Sequence, residues 1–392
     1  MIMYARILHC FSLILLLGTW TIASAQTADH PKKERREKKT EQEMGDTVKH
    51  KKFRIGDYIK IGGLVNAQYG YTYQQDNDSE VEQTSVFQVR RARLDVRGEI
   101  HPKFEYRIQA ELANSPKLLD AYVKLKFCKY ANLQVGQFKI PFTLENPYSP
   151  TDLEFIDNAQ IINKLSGYSD VSGVSNFANG REIGLMLYGT LAQFERDGEK
   201  YPILSYSVGV FGGNGINVKK DNMAKDIAGR LEFRPWLKHF TLSGSAYWGR
   251  YTLSNDIENG LRLRLAGGVE YKDEHLTIRS EYVWGKTAMP ITVNDEPSSR
   301  NMITQGAYLV AGYWFKMGKG NGFFGNQKIS PIVRVDFYQQ DIDVENYSIY
   351  YSAGMDWWPE KHLRFTVNYN LMQRTGYDQL GHGVTAALMA KF

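Results

Sequence analysis

The feature that most restricts this chain is a period of two. From Ile55 to Phe392, apolar and polar side chains alternate in segments of ten or more residues. Lys103-Phe104-Glu105-Tyr106-Arg107-Ile108-Gln109-Ala110-Glu111-Leu112 is one case, and the stretches Leu261–Leu265 and Leu363–Leu371 repeat it. Successive side chains on a strand point to opposite faces, so each segment has one apolar and one polar face. About sixteen such segments can be drawn. They fall near 54–73, 83–99, 102–113, 118–128, 131–140, 182–191, 201–212, 224–236, 239–252, 259–272, 275–287, 302–317, 329–341, 346–358, 361–373 and 381–392.

Strands in soluble sandwiches usually run about five or six residues. About ten are what a tilted strand needs to cross a bilayer. The connections agree with a membrane barrel, because tight turns alternate with more variable loops. Ile100-His101-Pro102, Cys128-Lys129-Tyr130, the stretch Pro235 to His239, Lys272-Asp273-Glu274 and the stretch Trp358 to Lys361 form the tight set. The other set includes the polar stretch near Asp76, the long one from Pro141 to Gly180, and those at Ala288 to Ser299 and Thr375 to Leu380. An even number of strands lets the first pair antiparallel with the last, leaving no unpaired edge in lipid. The expected fold is therefore all-β, a transmembrane antiparallel β-barrel of about sixteen strands. The negative mean hydropathy excludes a bundle of membrane helices but not a barrel, whose strands mix lipid-facing and lumen-facing residues.

Three regions follow. Residues 1–25 read as a secretory signal, with Arg6 before an apolar run and Ala23-Ser24-Ala25 as the cleavage pattern. Residues 26–52 form a charged periplasmic arm, with nine lysines and arginines against five acids from Lys32 to Lys52. Residues 53–392 are the barrel. From Phe53 onward the charge balances at 38 basic to 37 acidic residues, so the basic excess gives no reason to expect nucleic-acid binding. Only Cys128 remains after the leader, too few for an internal disulfide or a cysteine metal site, and no cofactor is expected. The last segment keeps apolar residues at every second position back from Phe392. Aromatics gather near segment ends (Tyr69, Tyr71, Tyr73, Trp248, Tyr251, Trp284, Trp314, Trp357 and Trp358), as girdles at the two interfaces would require.

Phe87-Gln88-Val89-Arg90-Arg91-Ala92-Arg93-Leu94-Asp95-Val96-Arg97-Gly98 resembles the phosphate-selective porin O and P family, and so does Leu133-Gln134-Val135-Gly136-Gln137-Phe138-Lys139-Ile140-Pro141-Phe142. The resemblance implies a sixteen-stranded, usually trimeric, water-filled channel in the outer membrane of a Gram-negative bacterium. It also implies a long third loop folded inward as the constriction, and a closing strand read by the barrel assembly machinery. The stretch from Pro141 to Gly180 is the longest connection and stands third in the long set, as that order requires.

Sixteen strands enclose more space than wall side chains fill, so water is expected inside, with selectivity set by lumen-facing charges. The polar faces assign Arg91, Arg93, Arg97, Arg107, Lys124, Lys126, Arg230, Arg234, Arg262, Arg264, Arg279, Arg334 and Arg364 to the lumen. Opposing them are Asp95, Glu105, Glu111, Asp120, Glu232, Glu270, Glu281, Asp336 and Asp356. The positive balance favours small anionic solutes, and the planar arginine fork suits phosphate or carboxylate oxygens. The phosphate specialists of the family carry basic residues at the constriction. Here the long connection has only Lys164 against Glu145, Asp152, Glu154, Asp157 and Asp170. That loop would oppose phosphate unless its acids pair with wall arginines such as Arg91 and Arg93. The expectation is a passive pore with mild anion preference.

An outer-membrane enzyme and a sealed adhesive barrel are the competing classes. The histidines after the leader, His30, His50, His101, His239, His275, His362 and His382, stand in no recognisable catalytic motif. There is no zinc-protease, Walker or dinucleotide pattern. The acidic cluster Asp76-Asn77-Asp78-Ser79-Glu80 reads as a solvated loop that could also hold a divalent cation.

Overall fold

The computed structural model describes residues 58–75, 80–173, 178–196, 198–219, 224–235, 239–253, 260–293, 295–318 and 324–392. The leader, the charged arm, most of the acidic cluster at Asp76 and the middle of the turn before His239 lie outside them.

The chain runs β1 (Lys60–Gln75), β2 (Val81–His101), β3 (Phe104–Glu111), β4 (Lys117–Lys126), β5 (Asn132–Lys139), α1 (Gln160–Leu165), β6 (Arg181–Arg196), β7 (Glu199–Phe211), β8 (Asp226–Phe233) and β9 (Phe240–Tyr251). It continues with β10 (Gly260–Lys272), β11 (Leu276–Val293), β12 (Glu296–Tyr313), β13 (Phe315–Met317), β14 (Gln327–Asp341), β15 (Asn346–Glu360), β16 (Leu363–Arg374) and β17 (Gly381–Lys391). β12 and β13 are one stave interrupted at Trp314, since both pair with β14. Sixteen staves therefore pair antiparallel in sequence order, and β1 meets β17 through Tyr69↔Ala386 and its neighbours. Gly63 and Phe392 exchange both backbone hydrogen bonds, at 2.9 and 3.1 Å, and complete the seam.

The burial of the two faces is inverted relative to a soluble protein. On β14, Val333 and Val335 are 55 % and 46 % exposed while Arg334 and Asp336 are 7 % and 0 % exposed. On β16, Phe365, Val367 and Tyr369 are exposed while Arg364, Thr366 and Asn368 are buried. Lipid is the solvent that allows such an exterior, because it charges nothing for exposed aliphatic side chains and closes the wall to unpaired backbone groups.

The expected loop at Ala288 to Ser299 is instead strand. β11 and β12 pair without interruption from Leu276↔Tyr313 to Val293↔Glu296. Side-chain alternation fades there because the outer end of this hairpin is exposed on both faces, yet the backbone ladder needs no alternation to continue. The girdle expectation also changes. Trp357 stacks on Phe365 with ring centroids 5.3 Å apart, so Trp358, one residue on, turns to the other face. Trp358 and Trp314 line the inside of the barrel.

Candidate functional site

The longest connection, residues 140–180, leaves β5 and touches most of the barrel's circumference. The backbone N–H of Leu144 donates to Glu281 on β11 at 2.6 Å, and that of Thr143 to Ser245 on β9 at 3.0 Å. Tyr148 donates to Glu270 on β10, and Gln160 N–H donates to Asp336 on β14. Arg364 on β16 donates to the carbonyls of Leu153 and Glu154 at 2.7 and 2.6 Å. Arg90 on β2 holds Asp157. A segment anchored between β5 and β6 reaches all these staves only through the interior of a closed barrel.

Inside, the segment builds an apolar layer. Phe142, Phe155, Ile161, Ile162 and Leu165 pack against inward residues of β5 to β14, among them Phe211, Tyr247, Val283, Tyr308 and Ile332. The interior is thus not uniformly wet, contrary to the expectation from strand number alone. Wall side chains do not fill a barrel of this size, but a forty-residue insertion carrying its own apolar face does so on one side.

The inserted acids meet wall arginines, though not the two anticipated. Asp170 accepts from Arg264 at 2.7 and 2.6 Å. Arg279 donates to Glu154 at 2.6 Å and to Glu270 at 3.2 Å, and lies 3.7 Å from Glu145. Arg334 donates to the carbonyl of Asp157 and stands 3.9 Å from Asp336. Burial opposes ionisation of Asp170, but Arg264 outweighs it and holds the carboxyl at about 2. Burial likewise works against Glu154, and Arg279 and Lys272 pull it below the usual carboxylate range. Arg93 pairs with Glu111 instead, and among the described residues Arg91 makes no ion pair. The ammonium of Lys164 reaches Ser169, at 3.4 Å, and Asp152 accepts from its neighbour Thr151; neither makes an ion pair among the described residues.

The rest of the assigned wall is mostly neutralised pairwise. Arg262 binds Asp226, and Arg364 grips Asp356 through two nitrogens at 3.0 and 2.7 Å. Arg230 and Arg234 share Glu232, and Lys126 binds Glu105. On β2 and β3 the register sets Arg97 directly opposite Arg107. Like charges placed so repel. Arg107 turns diagonally to Asp95, with both contacts at 2.9 Å, and to Asp120 at 3.2 Å. Arg97 is left without an acidic partner among the described residues. Lys124 stands opposite Glu105 in the register but makes no ion pair among the described residues; its ammonium lies over the rings of Tyr122 and Tyr188, at 5.5 and 5.8 Å. Between the loop and the β2–β8 wall lies a cavity of about 450 Å³, lined by Arg93, Arg97, Arg107, Arg181, Arg230 and Asp152 among others.

The model of the family described as phosphate-selective porin O and P matches residues 60–280, more than half of the chain. The chain belongs to that family. No curated protein matches it. Solved structures match most of it at low identity. The anion-selective porin of Comamonas acidovorans has a TM-score of 0.60 at 11 % identity, covering 85 % of this chain and 99 % of its own. OmpF of Salmonella typhi, in complex with daunomycin, has 0.58 at 14 %, covering 87 % and 99 %. The outer membrane channel DcaP of Acinetobacter baumannii has 0.55 at 12 %, covering 85 % and 97 %. These likenesses establish the sixteen-stave porin fold, and with the family they point to the outer membrane.

Residues of this porin that the sequence reading passed over are Arg181, Arg90 and Lys139. Arg181 binds Asp120 through two nitrogens at 2.7 and 3.2 Å and opens β6 directly after Gly180, where counting from strand interiors loses it. Arg90 is out of phase with its neighbours' polar row and still reaches Asp157. Lys139 ties the loop's root by donating to the carbonyls of Asn146 and Tyr148 at 2.7 and 2.6 Å. Arg181 and Lys139 share one signal, a cation at the very end of a strand, which Arg90, in the middle of β2, lacks.

Proposed function

We propose that this porin is a passive channel for small hydrophilic solutes with a mild preference for anions. The solute path follows the polar wall of β2 to β8 past the loop. The observation that carries the preference is Arg97, a wall cation set against another arginine and lacking an acid among the described residues. Lys124 and Arg91 add to it, while the remaining assigned wall cations, from Arg93 to Arg364, position the loop and wall through their pairs. Phosphate and carboxylate oxygens are the groups an uncommitted guanidinium recognises best. The anion-selective neighbour agrees with this reading. Cleavage of the leader after Ala25, assembly through the strand ending at Phe392 and a homotrimer among outer-membrane lipids complete the proposal.

Planar-bilayer recording in a salt gradient tests it. The native channel should show a reversal potential of anion-selective sign. Arg97→Glu with Lys124→Glu should move the permeability ratio toward cations by at least about twofold, since a charge within a Debye length of about 8 Å is poorly screened. A sealed barrel is what the apolar layer would favour if it extended across the lumen, and absence of any conductance would establish it. Clear cation preference of the native channel would overturn the anion reading.

A further inference from the structure

A second cavity, of about 720 Å³, lies on the other side of the loop. Its volume falls in the range of about 300–1,000 Å³ typical of pockets that hold small organic molecules. The loop residues Thr151 to Glu154 form one wall, and the turns after β10 and β15 form another. The apolar layer of Phe155, Val283 and Ile332 continues from the loop beyond Glu154.

The lining has a definite chemistry. The indoles of Trp314 and Trp358 stand edge to face with centroids 6.4 Å apart. Both rings are turned inward, and the Arg364 guanidinium lies 5.7 Å from the Trp358 ring. Lys328 is the direct register partner of both Trp358 and Lys316. Lys316 is committed to Glu274, and Arg364 to Asp356 and the loop carbonyls. Lys328 and Lys361 have no acidic partner among the described residues. The lining also holds Asp152, Glu154, Asp273, Glu274 and Glu360, of which Glu154 and Glu274 are ion-paired. The two rings therefore suit a solute that carries a flat ring and whose anionic group sits at Lys328 and Lys361, beside Trp358 and away from the loop's Asp152. The ring gains from stacking or edge contact, and the anion from charge-assisted hydrogen bonding.

We infer that this chamber binds ring-bearing organic anions, aromatic carboxylates or aryl phosphates. The inference rests on the porin reading only for the placement of the chamber beside the path. Thr151 and Asp152 line both cavities, so an occupied chamber stands against the loop that borders the conduction path.

Tryptophan fluorescence of the full chain folded in detergent micelles tests it without needing conductance. Phenyl phosphate should change the emission saturably. Inorganic phosphate should bind at least about tenfold more weakly, and so should phenyl glucoside, which has the ring without the charge. Lys328→Gln should weaken phenyl phosphate about tenfold, while Trp358→Phe should weaken it less than Trp358→Leu. Each variant is first checked for the heat-dependent gel shift of a folded barrel, and Lys361→Gln, at an exposed turn, provides a second variant that leaves packing untouched. No saturable change with phenyl phosphate would overturn the inference, as would equal affinity for inorganic phosphate, or unaltered binding in Lys328→Gln and Lys361→Gln together. A channel that conducts but fails these titrations loses the chamber and keeps the pore. Saturable binding in a barrel that does not conduct supports the chamber and removes the pore.

Discussion

Arg264 and Asp170 are joined by two parallel charge-assisted hydrogen bonds of 2.7 and 2.6 Å, and a third nitrogen–oxygen contact of 2.5 Å ties the same guanidinium to the carbonyl of Leu165. The side chains are 3 % and 0 % exposed. One wall arginine thereby fixes both the end of α1 and the return of the loop toward β6.

Removing one partner of a buried pair strands the other charge, at a cost of about 3–5 kcal/mol. Asp170→Asn should therefore loosen the loop while the staves, which pair independently of it, remain closed. The expected result is a retained heat-dependent gel shift with larger and noisier single-channel conductance. Unchanged conductance would show that the loop is held without this contact.

The same pair sets an acid limit. The carboxyl of Asp170 sits at about 2 when folded, below the ordinary value of about 3.9. A depressed carboxylate contributes stability that is fully present above its unfolded value and is lost as pH falls through its folded one. Loop ordering should hold from neutral pH down to about 4 and fail toward 2. Limited proteolysis across that range, with an acid-stable protease, should find the loop protected at pH 4 and cut near pH 2, whereas Asp170→Asn should lack this step.

Asp152 borders both cavities and meets no cation among the described residues. Its charge therefore acts on passing solutes rather than on the fold. Asp152→Asn should raise anion preference by at least about twofold at low salt, where screening is weakest, without altering thermal stability. Reversal potentials in dilute and concentrated chloride measure this, and a shift that persists undiminished in 1 M salt would contradict it.

Gly136 has a φ of +129°, and a Cβ there would stand 2.1 Å from the carbonyl oxygen of Ala121 on the neighbouring stave. Backbone cannot yield as a side-chain tip can, so Gly136→Ala should cost more than about 1 kcal/mol. The yield of heat-shifting barrel after refolding should fall sharply, while the same change at Gly244, where a Cβ meets open space, should leave it intact.

The staves were legible because each one reports its own environment. β16 reads as strand from Leu363 to Leu371 with no reference to any other segment. The inward direction of Arg262, Arg264, Arg279, Arg334 and Arg364 followed from parity alone, and their burial matches it. Parity failed where both faces are exposed, at the outer end of β11 and β12, and it missed charges at strand ends such as Arg181. The helix α1 was illegible because its buried face, Ile161, Ile162 and Leu165, is apolar only against a wall contributed by distant staves.

The sequence alone determined that a closed wall forms, since alternation is a local consequence of lipid on one face and polar surroundings on the other. Only the tertiary structure decided which charges remain available to a solute. Arg97 and Arg264 look alike as lumen arginines, but register places the first against Arg107 while the loop's path delivers Asp170 to the second. Ion pairing depends on distances of a few ångströms between residues nearly a hundred positions apart, and no local pattern encodes those.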